Sequence, residues 1–139
     1  MKLTTLLVLQ GVYAAMSLAF LFASGWSAKM TGEALSAAPV VPSIAMFVIY
    51  SGCLLLPRLR KIGWYRAAMA IALVPFGVGG VGANILNYAE NRLRDYSSFA
   101  VWLIAVGING YGTAWNIVAA LGRFKRPNGQ EEPEDGNHT

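Results

Sequence analysis

Four apolar runs, none of which contains an Asp, Glu, Lys, Arg or His, constrain this chain more than any other feature. They are Leu3 to about Trp26, Val40 to Pro57, Ala67 to about Tyr88, and Phe99 to Gly122. About twenty helical residues rising 1.5 Å each cover the roughly 30 Å of a hydrocarbon core, so runs of this length can cross a bilayer. Lipid offers no partner to a backbone N–H or C=O, and a helix satisfies these groups within the segment itself. Composition agrees, with 55% hydrophobic and 13% charged residues. A soluble domain carries about twice that charged share and could not build a surface from this one. The expected fold is all-α: a single integral-membrane domain over residues 1–126, an antiparallel four-helix bundle. Residues 127–139 form a polar tail too poor in apolar side chains to fold, and disorder is expected there.

Local signals set the boundaries. Pro42 stands near the start of the second run, where proline is tolerated, and Pro57-Arg58 closes it. This run is the shortest. The first run has a rival reading as a signal peptide, because Lys2 supplies a positive flank. Its apolar stretch is longer than a usual signal core, and no small-x-small cleavage site follows, which favours a retained helix.

Charge gives the sidedness. If the spans alternate, Lys2, Arg58, Arg60, Lys61, Arg66, Arg123, Lys125 and Arg126 share one side, and Lys29, Arg92 and Arg94 the other. Eight basic residues against three place both termini in the cytoplasm by the positive-inside rule, with a bacterial inner membrane the expected location. The same residues explain the net charge of +4 without a nucleic-acid partner, since no basic helix or aromatic-interleaved groove exists. Trp26, Tyr88 and Tyr96 fall at one interface, and Trp64 and Tyr65 are expected in the loop at the other.

The polar residues inside the spans align at helical spacing. Gln10, Ser17 and Ser24 share a face, as do Ser43 and Tyr50. Gly77, Gly80, Asn84 and Asn87 line one side of the third span. Ala105, Asn109, Thr113, Asn116 and Ala120 make the clearest stripe, on the fourth. In lipid, small and polar faces turn inward and large apolar ones outward. The glycine-rich stretch from Pro75 to Gly82 falls at the depth of Asn109, which predicts a glycine-against-asparagine seam. Gly77, Gly80, Asn84, Asn87, Asn109, Thr113 and Asn116 are therefore the candidate packing or pore-lining residues. Gly107, Gly110 and Ala114 form a second small stripe on the far face of the fourth span, a candidate partner face.

Chemistry is thin. Cys53 and His138 are the only residues of their types, so neither a cysteine-based metal cluster nor a histidine-based site is expected. No cofactor is implied. Intramembrane charge, on which proton-coupled transport depends, is missing from all the runs. Gly79-Gly80-Val81-Gly82 follows no strand and is not a dinucleotide fingerprint. Gly80-Val81-Gly82-Ala83 with Gly112-Thr113-Ala114-Trp115-Asn116 resembles in part the motifs of the small four-helix fluoride channels. The likeness covers only the last third of the chain, and Asn87 stands where those proteins have arginine, so no function is carried over. What remains is a non-catalytic accessory, assembly or partner-binding subunit whose surroundings are the lipid bilayer and a second membrane protein or copy of itself. The alternative is a small homo-oligomeric channel or uniporter for a neutral or anionic solute. An enzyme acting on lipid or quinone would need a carboxylate, histidine or metal within the spans.

Overall fold

The computed structural model describes residues 1–125, and the expected polar tail lies outside the described residues. Among those residues the chain is all-α, with α1 (Leu3–Thr31), α2 (Val40–Cys53), α3 (Ile62–Leu73), a π-helical segment (Val74–Ala83), α4 (Asn84–Asn91) and α5 (Phe99–Ala120). The only strand-like pairings in the described chain are two isolated bridges, Lys2 with Lys125 and Ser36 with Tyr96. These bridges mark the two ends of the bundle. At the termini end, the Leu3 N–H donates to the Lys125 carbonyl at 3.1 Å and the Lys125 N–H donates to the Met1 carbonyl at 2.8 Å. At the hairpin end, the Ala37 N–H donates to the Asp95 carbonyl at 2.9 Å and the Ser97 N–H to the Leu35 carbonyl at 3.1 Å. The spans therefore run alternately up and down.

Each span reflects its sequence. α1 runs past Trp26 to Thr31, because Ala28, Lys29 and Met30 favour helix until Gly32 (φ +79°) turns the chain in the left-handed region. α2 has 14 residues, about 21 Å of helix. Beyond Cys53 the chain continues in tight i→i+3 turns, such as Leu55 N–H to the Gly52 carbonyl at 3.0 Å and Leu56 N–H to the Cys53 carbonyl at 3.2 Å. The expected end at Pro57 thus falls within these turns rather than in regular helix. The third span starts five residues earlier than expected, at Ile62 in place of Ala67, and runs without a break to Asn91. Pro75 cannot donate a backbone hydrogen bond and its ring crowds the carbonyl one turn back. Beside it, across the neighbouring glycines, the backbone widens into π geometry.

α1, the continuous helix Ile62–Asn91 and α5 are long and apolar enough to cross a membrane, and α2 is a shorter apolar helix. The exposed surface fits lipid: Val8, Val12, Phe22, Trp26, Val48, Ile49, Ile71, Val78, Leu86, Leu103 and Ile104 all face outward. In the core lie Gln10, Ser17, Ser24, Tyr50, Ala105 and Asn116. Polar groups are in and large aliphatic ones out, the arrangement the aligned faces predict.

Candidate binding cleft

α5 is the central element, packing on α1, α3 and the π segment, whereas α2 packs mainly on α1. Close approach at α5 depends on glycine. A Cβ on Gly80 would stand 2.6 Å from Asn109 Cγ, and one on Gly77 would stand 3.3 Å from Thr113 Cγ2. A Cβ on Gly112 would fall 2.4 Å from the ring of Tyr13. The glycine-against-asparagine seam is therefore a contact with no room for a methyl group. Asn109 is held there by two hydrogen bonds: its Nδ2 donates to the Ala105 carbonyl at 3.0 Å, and the Tyr13 hydroxyl donates to its Oδ1 at 3.3 Å.

The polar groups divide into two sets. Toward the termini end, the Gln10 Nε2 donates to Asn116 Oδ1 at 2.9 Å and lies 3.1 Å from the Met69 sulfur. Tyr50 donates to the same Asn116 oxygen at 2.8 Å, and Tyr65 donates to Gln10 Oε1. This knot ties α1, α2, α3 and α5 together, and Gln10, Tyr65, Met69 and Asn116 are all fully buried. Tyr65 is a correction to the expected interface position. It lies inside α3, on the face shared by Met69, Ala72 and Phe76, while its neighbour Trp64 is exposed. Spacing of i, i+4, i+7 and i+11 from Tyr65 was the available signal.

Above the knot, Tyr13, Phe47, Tyr50 and Phe76 form a cluster of rings, mostly edge to face, with centroids 4.7–6.2 Å apart. Such pairs lock ring orientation as well as burying area. Beyond them, toward the hairpin end, a partly open cavity of about 360 Å³ lies between α2 and the π segment. Phe47 and Phe76 line it, as do Gly80, Asn84, Asn87 and Asn109. The bridged hairpins contribute Ser36, Asp95 and Tyr96, so the cavity has an aromatic floor and a roof of paired loops. Tyr96 donates to Asn84 Oδ1 at 2.8 Å, and Trp102 Nε1 donates to the Asn84 carbonyl at 3.2 Å. Burial, and then the Asp95 carboxylate, pushes the Tyr96 hydroxyl above its ordinary range, which extends its role as a donor to higher pH.

Of the candidate residues, Gly80, Asn84, Asn87 and Asn109 come together on the cavity. Gly77 and Thr113 meet in the packed seam, and Asn116 belongs to the knot. Gly107 and Ala114 are exposed and Gly110 is partly so; a Cβ on either glycine would meet nothing within 4 Å. Among the described residues no cluster of His, Cys, Asp and Glu could hold a metal ion. Comparison with protein-family models, with curated proteins and with solved structures finds no match, so the arrangement itself is what speaks to function.

Proposed function

We propose that this chain is a multi-pass membrane protein that works by binding: a non-catalytic accessory, assembly or partner-binding subunit acting through helix packing. The observation that carries this reading is how the bundle uses its polar groups. Gln10, Tyr50, Tyr65 and the Asn116 Oδ1 are spent on one another, the Asn116 Nδ2 is buried without a partner, and the rings of Tyr13, Phe47 and Phe76 lie between this knot and the cavity. A conducting path would need polar groups in sequence from end to end, and here the sequence is interrupted by rings. α5 supports the same reading from its other side. Its inward face is filled, while Gly107, Gly110 and Ala114 leave a shallow face on which a helix of a second copy or another membrane protein can approach closely.

The orientation belongs to the same proposal. Lys2 and Lys125 are paired, and Arg66 Nε donates to the Ala120 carbonyl at 3.2 Å, which gathers the basic residues at the termini end. By the positive-inside rule that end faces the cytoplasm, in a bacterial inner membrane. A periplasm-active reporter fused after Thr139 should be silent; strong signal would reverse the orientation.

Mild-detergent extraction tests the binding role. The wild-type chain should run as a complex by native mass spectrometry. Gly110→Leu should run as a folded monomer, because the added side chain fills the shallow face without touching the bundle. A wild-type chain that is a monodisperse monomer in every mild detergent overturns the reading. A second reading, a channel for a small solute, draws on the cavity beside Asn109. Liposomes carrying the purified protein should show no flux of small neutral or anionic solutes. Flux that Asn109→Leu abolishes would favour the channel instead.

A further inference from the structure

The cavity at the hairpin end holds polar capacity that the bundle does not use. Ser17 and Ser36 line it, each is 5% exposed, and neither hydroxyl has a hydrogen-bond partner among the described residues. An amide nitrogen carries two N–H donors. Asn84 uses one on the Gly80 carbonyl at 2.9 Å, and Asn109 uses one on the Ala105 carbonyl, so each has a second donor left over at the cavity wall. Buried polar groups without partners are costly, and two such hydroxyls on one cavity, with two spare amide donors on partly buried residues beside them, point to a ligand that satisfies them. The remaining lining is largely apolar, with Phe20, Leu21, Met46 and Ile108 beside the aromatic floor.

The chemistry of the lining narrows the ligand. Two amide donors and two hydroxyls favour an oxygen acceptor such as a carbonyl, ester or ether. Among the described residues no lysine or arginine lines the cavity, and Asp95 is its single charged group. A carboxylate or phosphate would therefore meet repulsion with nothing to neutralise it in a medium of low dielectric. A cavity of about 360 Å³ falls in the range of small-molecule sites. We propose that the cleft between α2 and the π segment binds an uncharged, carbonyl- or ether-bearing amphiphile. Its acceptor oxygen accepts from the Ser17 and Ser36 hydroxyls, with the spare amide donors of Asn84 and Asn109 on the same wall, and its apolar body rests on Phe47 and Phe76. The proposal is independent of what covers the outer face of α5.

Benzophenone tests this directly, since it is a neutral aryl ketone of fitting size and its excited carbonyl inserts into nearby C–H bonds, those of methionine above all. Met46 lines the cleft, whereas Met30 lies on the exposed surface at 66% exposure and reports nonspecific partitioning. The full chain in lipid nanodiscs is irradiated with benzophenone, with its anionic analogue 4-benzoylbenzoate, or with its cationic analogue 4-(aminomethyl)benzophenone. Adducts at the two methionines are then counted by peptide mass spectrometry. Benzophenone should label Met46 over Met30, and over the anion at Met46 by at least about fivefold. Asp95→Asn should raise labelling by the anion toward that of the ketone, a gain that misfolding cannot produce. Ser17→Ala should lower ketone labelling at Met46 and leave Met30 unchanged. Equal labelling of the two methionines by the ketone overturns the site. Stronger labelling by the anion or the cation than by the ketone overturns the assignment of a neutral ligand.

Discussion

Replacing Gly112 by alanine puts one methyl group where the structure has none to spare. The new Cβ would lie 2.4 Å from Cε2 and Cζ of Tyr13 and 2.5 Å from its Cδ2. Tyr13 cannot step aside, because it is fully buried and boxed edge-on by Phe47, Tyr50 and Phe76. Overpacking of this kind costs about 1–3 kcal/mol, and a ring rather than a flexible tip puts the cost at about the upper end. Alanine regains about 1 kcal/mol of helix propensity over glycine, so the net loss is about 1–2 kcal/mol. Gly11→Ala is the internal control, two positions before Tyr13 on α1 with nothing within 4 Å of its Cβ and away from the outer face of α5. It keeps the propensity gain and should leave stability level or raised by up to about 1 kcal/mol. Unfolding by SDS in mixed micelles measures both. The double variant Tyr13→Ala/Gly112→Ala completes a cycle in which the glycine substitution should cost nothing once the ring is gone. Should Gly112→Ala prove as stable as Gly11→Ala, the ring does not pack on Gly112, and the placement of α1 against α5 is wrong.

Three further outcomes follow from the polar groups. Gln10→Leu leaves the Tyr65 hydroxyl unpaired in a fully buried knot and Asn116 with the Tyr50 bond alone, and the same unfolding assay should read a loss of about 1–3 kcal/mol. Tyr96→Phe removes the bond to Asn84 and should speed hydrogen exchange in the 92–98 hairpin while exchange in α5 stays the same. Tyr96 also gives a pH dependence. Its hydroxyl is raised by burial and then by Asp95, so the unfolded chain releases the proton first. Its contribution is therefore whole at neutral pH and declines once pH rises past about 10, and the phenylalanine variant should lack that component.

How far the sequence reaches can be judged residue by residue. Hydropathy and the absence of internal charge were enough for four apolar helical stretches, three of them long enough to cross a membrane, because one rule applies to every residue of such a run. The sevenfold spacing of Gln10, Ser17 and Ser24 correctly named the buried face of α1, since all three are buried. Gly80 against Asn109 was also legible, from depth alone. Tyr65 was not, because a tyrosine beside Trp64 and a run of arginines looks like an interface anchor. Only its register with Met69 and Phe76 turns it inward. The π segment was illegible for a different reason. Pro75 announces a lost hydrogen bond, but whether the helix kinks or widens depends on whether the neighbours crowd it, and that is set by α5.

The division of polar groups into a knot and a cleft explains why depth alone could not separate packing residues from binding residues. Asn109 and Asn116 lie two turns apart on one face of α5, and spacing treats them alike. They differ in what the other helices bring to them. Asn116 meets Gln10 and Tyr50, whose groups answer the acceptor side of its amide, and its own Nδ2, which also lacks a partner, is fully buried away from the cavity. Asn109 meets a glycine backbone that offers no side chain, so a donor is left over beside open space. The glycines of the π segment thus do two things with one property. By carrying no Cβ they let α5 approach closely at Gly77 and Gly80, and by offering no polar side chain they leave Asn109 partly unanswered. Filling the seam with Gly80→Ser would supply a hydroxyl partner but also a Cβ that collides with Asn109 Cγ at 2.6 Å. Close packing and a spare donor at Asn109 are therefore consequences of the same residue, and a substitution that removes one removes the other.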